Sequence, residues 1–182
     1  LSKGDPLTPS EASMLCERVK SYTQESYYLQ WAAHELMYEA SCGKGLLYSQ
    51  IGIDANPCPG NCWYCSFAAC NNNWDEKAEV PLDIILEYSR IFSENGVHMI
   101  SLMTTANYSF DQYIDVVKGV RNVIAPNVAI MVNMGDFGLG EAQRLKEAGA
   151  TAVYHAIRVG EGTITSIDPK VRWETVHAAM DA

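Results

Sequence analysis

Cys58, Cys62 and Cys65 stand in the run Asn-Pro-Cys-Pro-Gly-Asn-Cys-Trp-Tyr-Cys, a C-x3-C-x2-C set with an aromatic, Tyr64, directly before the last thiol. Three thiolates this close can hold three irons of a [4Fe–4S] cube and leave the fourth iron without a protein ligand, open to a small molecule. The competing chemistry is a structural zinc site, which requires a fourth ligand. Cys70 could supply it, and no histidine lies near in sequence. A disulfide framework fits less well, because an acidic chain without a signal-peptide pattern reads clustered cysteines as metal-binding.

Composition narrows the classes of partner. The 182 residues suit a core of ordinary size, and 48% apolar residues exclude disorder as the main state. A formal charge of -9 argues against a nucleic-acid partner, since phosphate binding calls for a basic face. No apolar run approaches a bilayer span and no basic amphipathic stretch suggests surface binding. The expectation is a cytoplasmic protein acting on a small molecule, away from nucleic acid and membrane.

The elements that must position the cysteines follow from periodicity and caps. Thr8-Pro9-Ser10-Glu11 is a capping box with proline at the first helical position, starting a helix to about residue 20. A second helix is predicted over 25–41, with Leu29, Ala32, Ala33, Leu36, Met37 and Ala40 as its apolar stripe, ending at Gly43 and Gly45. Strand–helix alternation then begins. Strands are predicted over 46–53, 97–103, 128–134 and 152–157, and helices over 81–95, 111–123, 141–148 and 172–180. The fold class expected is α/β: a partial TIM-type (βα) barrel of parallel strands, four βα units long, with two N-terminal helices ahead of it. Residues 1–45 form the helical lead-in and 46–182 the partial barrel. In such a barrel the loops after the strands share one rim, so the cysteine loop, 104–109, 135–140 and 158–162 converge there.

The cysteine run, the two leading helices and the phrase Leu145-Lys146-Glu147-Ala148-Gly149-Ala150 together resemble the radical S-adenosylmethionine superfamily. Within it the chain is similar to the biotin-synthase-like branch, near the hydrogenase maturase, methylornithine synthase and the aromatic amino-acid lyases. The resemblance runs from about Thr8 to Ala182. It implies a [4Fe–4S] cluster on Cys58, Cys62 and Cys65, with S-adenosyl-L-methionine chelated to the free iron and Tyr64 beside the adenine. It also implies cofactor contacts from Thr104 and Thr105, in place of a Gly-Gly-Glu-like sequence, from Arg158 and Glu161, and from Arg172 as a clamp on the cofactor carboxylate. A guanidinium suits that role because its planar fork can make two parallel hydrogen bonds. The implied reaction is reductive cleavage to methionine and a 5′-deoxyadenosyl radical, which abstracts hydrogen from a small-molecule substrate. An external electron donor such as flavodoxin or ferredoxin and an anaerobic setting are implied with it.

The chain departs from biotin synthase in one respect. Leu102 and Met131 stand at about the positions of the first two cysteines that hold that enzyme's second cluster, and no cysteine follows Cys70. Sulfur insertion by that route is not expected; amino-acid rearrangement or cleavage, or cofactor biosynthesis, is. The chain also carries fewer strand–helix units than the branch, so it reads as a piece of a longer enzyme or as a half-barrel completed by a partner chain.

Plainer readings stand beside these. Glu161 and Arg172 could pair on the surface, where an ion pair is worth little. His155 points into the barrel mouth or into the helix layer, and a core histidine is the commoner case. Asn107, Tyr108, Asn133 and Asp136 could meet substrate or serve as turn and cap residues. Gln50 and Asp54 are candidate lumen groups, Trp63 and Trp74 packing residues, and Asn71-Asn72-Asn73 a polar turn. Cys16 and Cys42 read as ordinary thiols. The alternative function is a non-catalytic iron–sulfur or zinc binding module. Catalytic residues, the role of Cys70, the substrate and the oligomeric state cannot be read from the sequence.

Overall fold

The computed structural model describes residues 6–71, 73 and 77–182; Asn72 and Trp74 lie outside the described residues. The chain divides into two compact units, Leu1–Leu46 and Leu47–Ala182.

The first unit is a pair of helices. Helix α1, Pro9–Arg18, opens on the capping box, with the Thr8 hydroxyl accepting from Glu11 N and the Glu11 carboxylate accepting from Thr8 N at 2.8 Å. Helix α2, Gln24–Ala40, is capped by Thr23, whose hydroxyl accepts from Ser26 N.

The second unit is built on four parallel strands: β1 (Tyr48–Gly52), β4 (Met99–Met103), β5 (Ala129–Asn133) and β6 (Ala152–Val153), hydrogen-bonded in that order. Between β1 and β4 the chain makes a two-strand antiparallel ladder, β2 (Asp54–Ala55) with β3 (Ala78–Glu79), and a 3-10 turn at Ala69–Asn71. The other connections are helical, α3 (Leu82–Glu94), α4 (Phe110–Val123) and α5 (Leu139–Glu147), and α6 (Pro169–Asp181) follows β6. Sheet order equal to chain order, with each helix packed on the next, is the arc of a (βα) barrel; a doubly wound sheet would reverse direction at a switch point.

Alternation along the strands sorts the two faces. Ile51, Ile100, Leu102, Ile130 and Val132 belong to the core that meets the helices. Gln50, Ser101, Met103, Met131 and Asn133 face the opposite way and line a cavity of about 510 Å³ on the concave side. Register keeps them in rows, Gln50 beside Ser101 beside Met131, then Met103 beside Asn133. Helix α4 supplies the other half of the core, presenting Tyr113, Ile114, Val116, Val117 and Val120 at helical spacing. Each such aliphatic side chain contributes about 1.5–3 kcal/mol on burial.

The expected elements are present, with two corrections. The last strand is two residues long where 152–157 was expected, because beyond Val153 the backbone turns into the loop that carries Arg158. Helix α6 starts three residues earlier than expected: the Asp168 carboxylate accepts from Lys170 N at 2.8 Å and Pro169 occupies the first turn. Leu102, at about the position of one of biotin synthase's second-cluster cysteines, is buried in the helix-side core, and its neighbours Ser101 and Met103 take the lumen positions.

Tyr113 ties the two central strands at the rim. Its buried hydroxyl donates to Leu102 O at 2.7 Å and accepts from Asn133 N at 3.1 Å, and burial pushes its pKa up. Tyr113→Phe leaves a buried carbonyl and a buried N–H without that partner. It should lower unfolding free energy by about 1–3 kcal/mol in urea titrations; an unchanged midpoint would show that the hydroxyl contributes nothing.

Candidate cofactor site at the strand-end rim

The cysteine loop is closed by its own backbone. Cys58 N donates to Phe67 O at 2.7 Å, Ala69 N to Cys58 O at 3.0 Å and Cys65 N to Cys62 O at 2.9 Å. Asn61, between the first two cysteines, adopts φ +44°, a left-handed turn that asparagine tolerates better than most residues, and its side-chain oxygen accepts from Cys70 N at 2.9 Å. Asn71 donates to Cys65 O at 2.9 Å. Cys70 thus has a structural contact through its backbone, while its thiol is exposed.

The loop is also stitched to the segment after β6. Ser166 N donates to Gly60 O at 2.8 Å and Trp63 N to Ile164 O at 3.2 Å. This docking brings Arg158 and Glu161 into the electrostatic neighbourhood of the thiols. Burial pushes the Cys62 thiol up; a hydrogen bond with Tyr64 and the positive charge of Arg158 oppose that, and Cys65 and Cys58 add to it. Burial also raises the Tyr64 hydroxyl, with Cys62, Arg158 and Glu161 all in reach. Of the residues singled out in the sequence, Cys58, Cys62, Cys65, Tyr64, Arg158 and Glu161 therefore form one group.

The chemistry of this donor set fits an iron–sulfur cluster: three reduced thiols on one loop, close enough to sense one another's charge. Among the described residues, no group of three or more His, Cys, Asp or Glu side chains is placed to hold a metal ion. Glu161 is buried, and its Oε2 accepts from Arg158 N at 2.6 Å while Oε1 has no hydrogen-bond partner, 3.8 Å from the Arg158 guanidinium. A buried carboxylate oxygen without a partner costs free energy, so it is a ready acceptor for a ligand's donor.

The other predicted positions are held separately. Thr105 is turned inward: both its N–H, at 2.7 Å, and its hydroxyl donate to the buried carboxylate of Asp54, which also accepts from Asn56 at 2.6 Å. Asp54, expected in the lumen, instead anchors the loop after β4. Thr104 N donates to Asn133 O at 3.0 Å across to β5. Tyr108 donates to Glu79, tying this loop to β3. Gly135 lets the next loop approach, since a Cβ there would stand 2.3 Å from Ala106 O.

Arg172 and Glu161 do not pair with each other. Arg172 is buried, and its Nε stands 3.1 Å from Asp136 Oδ1, an ion pair whose N–H is not aligned as a hydrogen bond. The same oxygen meets His155 Nε2 at 2.8 Å. The His155 ring, 2% exposed, faces the helix layer against Phe137, while its neighbour Tyr154 lines the lumen cavity with Arg158. Burial lowers the His155 pKa below 6.5, with Arg172 and Arg158 acting in the same direction and Asp136 opposing. The sequence leaves Asp136 between substrate contact and a turn or cap role; its contacts, which bring three elements together, mark it out as a rim anchor.

No family model matches the chain. A biotin synthase from Acetivibrio thermocellus is 27% identical over 133 residues, covering 67% of this chain and 41% of that protein. Another from Desulforudis audaxviator is 23% identical over an aligned length of 189, covering 97% of this chain and 55% of that one. The chain is similar to these biotin synthases over most of its length. Among solved structures, methylornithine synthase (PylB) superposes with a TM-score of 0.76 at 16% identity, covering 98% of this chain and 53% of that one. The [FeFe]-hydrogenase maturase HydG of Carboxydothermus hydrogenoformans gives 0.76 at 19% identity, covering 99% and 43%. These likenesses carry the fold, a partial TIM-type (βα) barrel. The chain spans about half or less of most of these relatives. No helix among the described residues is long and apolar enough to cross a membrane.

The depressed His155 pKa has a measurable consequence. Folding favours neutral His155, so its contribution is complete above the unfolded value of 6.5 and is lost as pH falls from there toward the lower folded pKa. The thermal midpoint should therefore drop as pH falls below about 6.5, and His155→Phe should flatten that part of the profile. An identical pH slope in the variant would refute the assignment.

Proposed function

We propose that this chain is the cluster- and cofactor-binding part of a radical S-adenosylmethionine enzyme acting on a small polar molecule. The observation that carries the reading is the docking of the cysteine loop on the segment 158–166, which sets Arg158 and Glu161 beside Cys62 and Tyr64 at the rim of the lumen cavity. Residues 1–45 serve as a helical lead-in and 46–182 as the barrel domain.

Cys58, Cys62 and Cys65 would hold a [4Fe–4S] cluster. When bound, the cluster and S-adenosyl-L-methionine would supply one-electron reductive chemistry for removing hydrogen from the substrate. The protein's part is to bind, orient and exclude. Tyr64 lies against the adenine. Glu161, with its unpartnered Oε1, accepts from the cofactor's ammonium or ribose hydroxyls, and Arg158 balances its charge. Arg172 takes the cofactor carboxylate. Thr104 contacts the methionine end, and Thr105, held by Asp54, shapes the loop that presents it. Substrate is received by the lumen, where Gln50, Ser101, Asn133 and Tyr154 offer hydrogen bonds and Met103 and Met131 give adaptable apolar contact. That lining holds no cysteine and favours amino-acid rearrangement or cleavage, or a step of cofactor biosynthesis, by a lyase, mutase or transferase. Such a cluster requires a reducing, cytoplasmic setting and a donor of the flavodoxin or ferredoxin type.

Anaerobic reconstitution with iron and sulfide should give a brown protein that, once reduced, releases 5′-deoxyadenosine from S-adenosylmethionine. Cys62→Ala should lose the colour and at least about 100-fold of the cleavage rate. A colourless protein carrying one tightly held zinc would establish the non-catalytic module instead.

A further inference from the structure

Asp136 is the meeting point of three elements at the rim. It sits in the loop after β5, and its Oδ1 alone is approached by His155 Nε2 at 2.8 Å from the segment after β6, and by Arg172 Nε at 3.1 Å and Thr175 Oγ1 at 3.4 Å from α6. Arg172 and Thr175 are three residues apart, so both face the same loop from one side of the helix. The contact is reinforced by backbone, since Phe137 N donates to Thr175 Oγ1 at 3.1 Å. All three partners are buried at the side chain, whereas Asp136 is 26% exposed. The carboxylate therefore neutralises an arginine that is otherwise costly to bury.

The geometry leaves specific atoms unused. Asp136 engages Arg172 from the Nε side, and among the described residues neither terminal amino group of Arg172 makes a hydrogen bond. With Nε2–H given to Asp136, the neutral His155 keeps Nδ1 as a buried acceptor without a partner. His155 thereby fixes the orientation of the carboxylate, and the carboxylate fixes the stem side of the guanidinium.

We propose that Asp136 is a positioning residue that holds Arg172 so that its free terminal fork recognises the carboxylate of S-adenosylmethionine, with His155 and Thr175 orienting Asp136. This rests on the reading of Arg172 given above and adds the element that sets its geometry. Asp136 acts through Arg172 and touches no ligand itself.

The test uses the anaerobically reconstituted protein, with equilibrium dialysis of S-adenosylmethionine and of its decarboxylated analogue, which keeps the sulfonium and ammonium groups. Asp136→Asn should weaken S-adenosylmethionine binding about tenfold, the scale of one charge-assisted hydrogen bond, and shift the analogue by less than about twofold. Arg172→Gln should erase the same share of the preference, and the double variant should lose no more than Arg172→Gln alone. Equal weakening of both ligands by Asp136→Asn, or additive losses in the double variant, would overturn the positioning role while leaving Arg172 as the clamp. Unchanged preference in Arg172→Gln would overturn the reading of the site and the inference with it. Should Asp136→Asn fail to fold, Asp136→Glu keeps the charge but displaces it by one methylene, and the same selective loss is expected; an unaltered preference there would count against the proposal.

Discussion

The organising constraint is the period-two alternation of a parallel sheet whose helices lie all on one side. Ile100, Leu102, Ile130 and Val132 go to the helix layer, where Tyr113, Val117 and Val120 of α4, Ile85 of α3 and Leu145 of α5 share one core with them. Once those side chains are committed, Ser101, Met103, Met131 and Asn133 have no choice of face. A lumen lined by polar and thioether groups is thus a consequence of where the aliphatic residues had to go. Strand ends share one rim for the same reason, and that rim collects the chemistry.

The rim is held by a few buried polar contacts, each joining segments that the sheet alone would leave separate. Tyr113 bridges the ends of β4 and β5 through one hydroxyl, and Asp54 fastens the loop after β4 to β2. Asp136 draws α6 and the segment after β6 onto the loop after β5. Low local dielectric strengthens such bonds and makes a missing partner expensive, so they fix loop geometry more sharply than apolar packing does. The cysteine loop follows the same logic: its backbone bonds within itself, and the bonds Ser166–Gly60 and Trp63–Ile164 to the segment after β6, set where the three thiols sit.

Much of the architecture was legible one segment at a time. Helices α1 and α3 to α5, and the strands β1, β4 and β5, follow from caps, glycine stops and apolar period, all of which act within a few residues. The shortfalls came where the decisive partner is remote. Val153 ends β6 because the chain leaves to dock on the cysteine loop, which periodicity in residues 152–157 does not encode. The β2–β3 ladder pairs residues more than twenty apart in sequence, and each strand is too short to carry a pattern. The start of α6 is the local exception, set by the Asp168 cap and Pro169 within the sequence itself.

By itself the sequence determined the three-thiol motif, the βα order and the absence of a downstream cysteine, because these depend on residue identity and short spacing. Tertiary structure decided which polar groups pair: Glu161 with Arg158, Arg172 with Asp136, Asp54 with Thr105. It also decided that His155 turns to the helices while Tyr154 turns to the lumen. The physical reason is that a charge can be buried only where an opposite charge or a hydrogen bond meets it, and that meeting is set by loops from different strands arriving at one rim.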